Sequence, residues 1–134
     1  MPLSKIFDVA STALTAQSKR LNVVASNLAN ADSATSSAET TYHAKQVVFK
    51  TLALGSNVDK GVKVAAVVDD PTPLRTVYDP KHPMANKDGY VTYPNVNPVE
   101  EMVNMISASR SYQNEVDVMN TAKSLLQKTL TLGQ

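Results

Sequence analysis

Residues 7–31 read FDVASTALTAQSKRLNVVASNLANA. Phe7, Leu14, Leu21 and Leu28 recur every seven residues, and Ala10, Gln17, Val24 and Ala31 follow each of them by three. That spacing is the pattern of a helix laid lengthwise along other helices. A second stretch near the C-terminus has the same form, through Met105, Ser109, Tyr112, Val116, Met119, Lys123, Leu126 and Leu130. Working outward from these stripes, the chain reads as α+β. Its long N- and C-terminal helices pair as an antiparallel coiled coil, with a small β-rich subdomain between them. The expected helix packing involves Phe7, Leu14, Leu21, Val24 and Leu28 on the first helix. On the second it involves Met105, Tyr112, Val116, Met119, Leu126 and Leu130. Tyr112 packs its ring and Lys123 carries its charged head outward along the same stripe.

Proline and glycine set the boundaries. Neither occurs between Leu3 and Leu54 or between Val99 and Leu132, whereas six of the seven prolines lie at 71–98. Proline interrupts helix interiors and central strands alike, so the middle must be turns, edges and short strands. This divides the chain into an N-terminal helix at 1–33, a β-rich middle at 34–97 and a C-terminal helix at 98–134. Asn97, Pro98 and Glu100 form a helix-start signal, with Asn97 as the cap and Pro98 in the first helical position. Gly133 is placed to close that helix in a left-handed turn. Residues 42–51, 61–68, 74–78 and 90–93 read as strands, and Asp88-Gly89 as a turn into the last of them. The Ser/Thr-rich 32–41 stretch reads as a mobile connector.

At 134 residues the chain is one domain's worth. Two helices of about 40–50 Å, at a rise of ~1.5 Å per residue, favour an elongated molecule. A formal charge of +1 without a basic run argues against nucleic acid as a partner. No apolar run is long enough to span a membrane. The N-terminus carries no apolar block of the kind found in cleaved secretion signals. With no cysteine, disulfides, thiolate metal sites and cysteine nucleophiles are all excluded.

Nothing in the sequence assembles a catalytic constellation. His43 and His82 lie in different segments without acidic or thiol partners at ligand spacing. Asp69-Asp70-Pro71 reads as a strand end, because adjacent strand residues point to opposite faces. Phosphate-binding glycine loops and the Gly-x-Ser-x-Gly elbow are absent. The expectation is a non-enzymatic chain that uses no cofactor, metal or small-molecule substrate. The informative face is the back of the N-terminal helix. Residues 1–34 hold five charged residues but eleven Ser, Thr, Asn or Gln. Solvated helices usually carry charge, so a neutral, small-residue back predicts a helix enclosed by others.

Residues 13–33 contain Ser26-Asn27-Leu28-Ala29-Asn30, and this segment resembles the N-terminal signature of the bacterial flagellar axial proteins. Ser33 stands where that family commonly has threonine, and keeps the hydroxyl. Further stretches are similar to the proximal-rod branch of the family: Lys45–Phe49, Gly61–Ala65, Asp88–Val91, Pro94–Val96, Glu101–Asn104, Ser107–Gln113 and Lys128–Gln134. Together they cover nearly the whole chain. The resemblance implies a structural subunit of the proximal rod, the drive shaft crossing the periplasm. Its terminal helices would form an inner layer and its middle would pack outside. It also implies passage through the flagellar type III export apparatus without cleavage of a signal. The implied partners are other copies, other rod proteins and the adaptor at the rod's base, with no membrane insertion. Asn27 and Asn30 are expected to serve the turn leaving the helix. The competing reading is a cytoplasmic coiled-coil adaptor or export chaperone, which would share the heptads but form a stable dimer. In a free rod subunit, by contrast, the helix ends would be only partly ordered before assembly.

Overall fold

The computed structural model describes residues 2–55 and 60–133. Helix α1 spans Pro2–Ala29 and helix α2 spans Pro98–Leu132. Between them lie β1 (Lys45–Ala53), β2 (Lys60–Asp69), β3 (Arg75–Tyr78) and β4 (Tyr90–Tyr93). The architecture is α+β, as the distribution of proline and glycine implies.

The two helices run antiparallel. Ile6 shares a groove with Val118 and Leu125, while Arg20 and Val24 share a cavity with Glu101 and Asn104. Asn97 caps α2 by accepting hydrogen bonds from the Val99 and Glu100 amides, and Pro98 opens its first turn. At the other end Gly133 has φ −92°, so α2 stops without the left-handed turn expected from its glycine. Glycine permits that turn but does not require it.

The strands form two separate antiparallel pairs, β1–β2 and β3–β4. In β1–β2, Val48 faces Ala66 and Phe49 faces Val64, so Ala65 is an extra residue that bends the hairpin. The connection between these strands includes residues 56–59, which lie outside the described residues. In the loop before β4, Gly89 has φ +82°, and a Cβ there would lie 2.9 Å from the Tyr78 ring. Asp88-Gly89 is therefore a turn that needs its glycine.

The β1–β2 hairpin lies along α1, on a different side from α2. Thr12 Oγ1 accepts a hydrogen bond from the Val62 amide at 3.1 Å, and Gly61 sits directly against the Thr12 side chain. Helix α1 is thus packed on two sides. Ala10 and Val24 are buried on the line facing α2, and Ala16 and Val23 on the line toward the hairpin. The 32–41 stretch, read from sequence as mobile, is tied down. Thr35 exchanges both of its backbone hydrogen bonds with Thr92 at 2.9 Å, adding a bridge to the free edge of β4. The Thr35 and Thr41 hydroxyls lie against each other and both reach the Ser37 carbonyl, so their two protons are shared among these three contacts.

Candidate assembly site

The motif segment Ser26–Asn30 lies in the last turn of α1 and the residue after it, beside the start of β1. Asn27 is 1% exposed, and its amide meets both backbone groups of one residue. Its Nδ2 donates to the Lys45 carbonyl at 2.8 Å, and its Oδ1 accepts from the Lys45 amide at 2.9 Å. The same oxygen accepts from the Tyr42 hydroxyl at 2.8 Å, which also lies 3.2 Å from Ser26 Oγ. A side-chain amide has one donor face and one acceptor face, so Asn27 docks onto β1 much as a neighbouring strand would. Asn30 works locally, with Nδ2 donating to the Ser26 carbonyl at 2.8 Å. Both asparagines were expected at the turn, but Asn27 reaches past it to the strand. Leu28 is half-buried, and Ser26 and Ala29 are exposed.

Asn95 provides a second tie. Its Oδ1 accepts from the Ala44 amide at 2.7 Å, and its Nδ2 donates to the Thr72 carbonyl at 2.9 Å and the Asp70 carbonyl at 3.2 Å. The start of β1, the end of β2 and the entry to α2 are thereby held together. Asp70 closes this knot, accepting from the Thr72 amide at 2.8 Å and from the Gln46 side chain at 2.6 Å. The Thr72 backbone and side chain, followed by Gln46, hold the Asp70 carboxyl below its ordinary value despite some desolvation. No sequence signal distinguished Asn95 from any loop asparagine, because its partners come from three segments.

The seam between the helices is built on small residues. Ala108 is 0% exposed, and Ala122 on α2 and Ala10 on α1 are buried with it. Phe7, Leu14, Leu21 and Leu28 on α1 are half-buried, and Val24 is buried. Met105, Val116, Met119 and Leu126 on α2 are half-buried, whereas Tyr112 and Lys123 are exposed and Leu130 is 64% exposed. The buried line on α2 therefore runs one residue ahead of the Ser109–Lys123 stripe read from sequence. Where two helices approach most closely the smallest side chains fit, and the large ones flank them.

Polar groups also enter the seam. Among the described residues, Gln17 Oε1 and Glu101 Oε2 are buried without a hydrogen-bond partner. A cavity of about 310 Å³ lies between Arg20, Val24, Lys45, Asn95, Glu101 and Asn104. Burial raises the Glu101 carboxyl above its ordinary value, and neighbouring Glu100 adds to this. The Asn27 and Asn104 amides and the Arg20 guanidinium pull it the other way.

The remaining feature escaped the heptad reading. Val99, Met102, Val103 and Ile106 are exposed, with Val99 at 70% and Ile106 at 55%. At helical spacing these four lie on the side of α2 opposite Ala108. Apolar residues thus occupy both the seam and the outer face. The free side of α1 is different, with exposed Ser11, Thr15, Ser18, Asn22 and Ala25.

The chain thus combines a helix pair with an apolar outer ridge, a neutral small-residue back and a segment that clamps the β subdomain. Residues 7–35 match the family model for flagella basal body rod proteins, and residues 87–132 match the model for the C-terminal part of flagellar basal body rod FlgEFG proteins. Over its whole length the chain is 58% identical to the flagellar basal-body rod protein FlgC of Yersinia enterocolitica, again over that protein's full length. It is 57% identical to FlgC of Salmonella typhimurium over the full length of both, and 37% identical to FlgC of Borreliella burgdorferi, covering 100% of this chain and 99% of that one. The chain belongs to the FlgC family of flagellar basal-body rod proteins. It is a structural subunit of the proximal rod, located in the flagellar basal body. The cytoplasmic adaptor reading is not favoured by any of these relatives.

Proposed function

We propose that the chain acts without catalysis, as a building element whose paired helices are enclosed by neighbouring helices in the rod. In this reading 1–33 and 98–134 form one helical assembly domain, and 34–97 packs outside it. Phe7, Leu14, Leu21, Val24, Leu28, Met105, Val116, Met119 and Leu126 hold the helix pair together and its flanks meet neighbours. Leu130 and Tyr112 are left for intermolecular contact. The subunit reaches its place through the flagellar type III export apparatus, and its contacts include other copies, other rod proteins and the adaptor at the rod's base.

The observation that carries this reading is the outer ridge of α2. A helix that is apolar on opposite sides is characteristic of one surrounded by protein. Covering each such side chain contributes at most about 1.5–3 kcal/mol. Over the four side chains that is at most about 6–12 kcal/mol, of the same size as the ~4–15 kcal/mol that association costs, so a single ridge contact is marginal and repeated contacts in a polymer add to it.

The test is Ile106→Asp. The substitution lies away from the seam, so the isolated chain should keep its helicity and its urea midpoint. Basal bodies should lack the chain and the cells should not swim. Normal swimming by this variant removes the outer ridge from the assembly surface.

A further inference from the structure

The face of α1 beside the β1–β2 hairpin is not filled. A cleft of about 670 Å³ runs between the two, floored by Thr12, Ala16, Leu52 and Val62 and edged by Lys19 and Lys63. Among the described residues, none that lines it is acidic. Lys63 stands directly opposite Lys50 in the strand register, and both are exposed. Like charges facing each other across two strands repel, so this arrangement is relieved by an anionic partner. The cleft therefore calls for an occupant that is apolar along one side and negative beside it.

The same chain carries such a segment. The first turns of α2 present Val99, Met102, Val103 and Ile106 to solvent, and exposed Glu100 lies on the flank of this ridge, where it also borders the chain's own cavity beside Arg20 and Lys45. This ridge points away from its own α1, because Ala108 on the opposite side forms the seam. It therefore cannot enter its own chain's cleft. We propose that the cleft between α1 and the β1–β2 hairpin of one subunit receives the first two turns of α2 from a second copy, with Glu100 set against Lys19 and Lys63. The inference rests on the rod-subunit reading and gives it a contact.

The geometry has a consequence for assembly. Ridge and cleft are different surfaces, so each contact leaves one of each free. Such heterologous contacts propagate into rings or open helical arrays, whereas a self-complementary patch stops at a dimer. The small side chains on α1 beside the cleft, Ser11, Thr15 and Ser18, allow a neighbouring helix to come close.

The chain has no cysteine, so single cysteines report contacts cleanly. Thr15→Cys and Val103→Cys variants, each expressed alone and then together in one strain, should be incorporated into basal bodies and oxidised. Co-expression should give a cross-linked dimer at several times the yield of either variant alone. Incorporated variants that give no mixed product, or that cross-link equally well alone, overturn the contact while leaving the rod reading intact. Absence of the unsubstituted chain from basal bodies overturns both. Charge exchange supplies an independent readout. Lys63→Glu and Glu100→Lys should each reduce swimming, and their combination in one chain should recover part of it. A double variant no better than the worse single variant counts against the contact.

Discussion

The side-chain amide of Asn27 pairs with both the N–H and the C=O of Lys45, at 2.9 and 2.8 Å. A helix residue therefore completes the backbone hydrogen bonding of the first strand residue. Helix and β subdomain are joined by a fixed contact as well as by the chain between them. Replacing Asn27 by Ala would leave the Lys45 backbone groups and the Tyr42 hydroxyl without this partner. Each buried polar group left unsatisfied costs about 1–3 kcal/mol. Asn27→Ala should lower the unfolding free energy by roughly 2–4 kcal/mol on that basis, read as a shift in urea midpoint. Asn27→Asp keeps an acceptor for the Lys45 amide but sets a carboxylate oxygen against the Lys45 carbonyl and beside the Glu101 carboxyl, so at neutral pH its loss should be at least as large as that of Asn27→Ala.

Gly61 sets how closely the hairpin approaches α1. A Cβ at this position would lie 2.6 Å from Thr12 Oγ1 and 3.1 Å from Leu54 Cδ1. Gly61→Ala should therefore destabilise by ~1–3 kcal/mol, the usual range for overpacking. Thr12→Ala removes the closest of these atoms, at the expense of the bond from the Val62 amide. The double variant should be more stable than the sum of the single effects predicts, since the two residues are in contact. Additive losses in a double-mutant cycle would mean that Thr12 and Gly61 do not limit the approach.

Ala108 and Ile106 are two residues apart on α2, yet substitutions in the seam and on the outer ridge should differ in their effect on the isolated chain. Ala108→Leu forces a larger side chain into the helix contact and should cost ~1–3 kcal/mol in the isolated chain. Ile106→Ala removes an exposed side chain and should stay within about 0.5 kcal/mol. Thermal unfolding separates the two. Only a helix pairing different from the antiparallel seam would reverse the order.

Two carboxyls give opposing pH dependences. The Glu101 carboxyl is raised above 4.5 in the folded chain, so between 4.5 and its raised value the folded state holds more protons than the unfolded state. Its effect on stability therefore becomes unfavourable as pH rises through that window. Glu101→Gln should abolish this decline and make the folded chain more stable at neutral pH. Asp70 is lowered below 3.8, so its contribution is present above that value and is lost as pH falls through its folded value. Asp70→Asn should leave the Glu101 trend untouched and flatten the acid limb alone. Urea titrations across pH 3 to 7 measure both, and a stability that rises through the Glu101 window would contradict its assigned burial.

Much of the fold was legible in the sequence because its signals are local. Proline and glycine crowd into the middle, Asn97-Pro98 starts α2, and Asp88-Gly89 must turn. The periodic stripes marked the two helices as partners, and the Ser26–Asn30 segment pointed to the axial family. The register of the seam was less legible. A stripe drawn through the largest apolar residues passes through Tyr112 and Leu130, whereas the contact closes on Ala108 and Ala122. Hydrophobicity ranks residues by size, but close approach between helices selects the small ones.

The sequence by itself determined two long terminal helices and a short β-rich middle, which follow from periodicity and breakers, while the resemblance of segments such as Ser26–Asn30 pointed to the flagellar rod proteins. Tertiary structure alone decided that Asn27 reaches β1, that Asn95 joins three segments and that α1 is packed on two sides. It also left the ridge from Val99 to Ile106 facing outward. Those facts depend on pairings between residues distant in the chain. A hydrogen bond or a small-residue contact leaves no periodic trace in either segment that makes it.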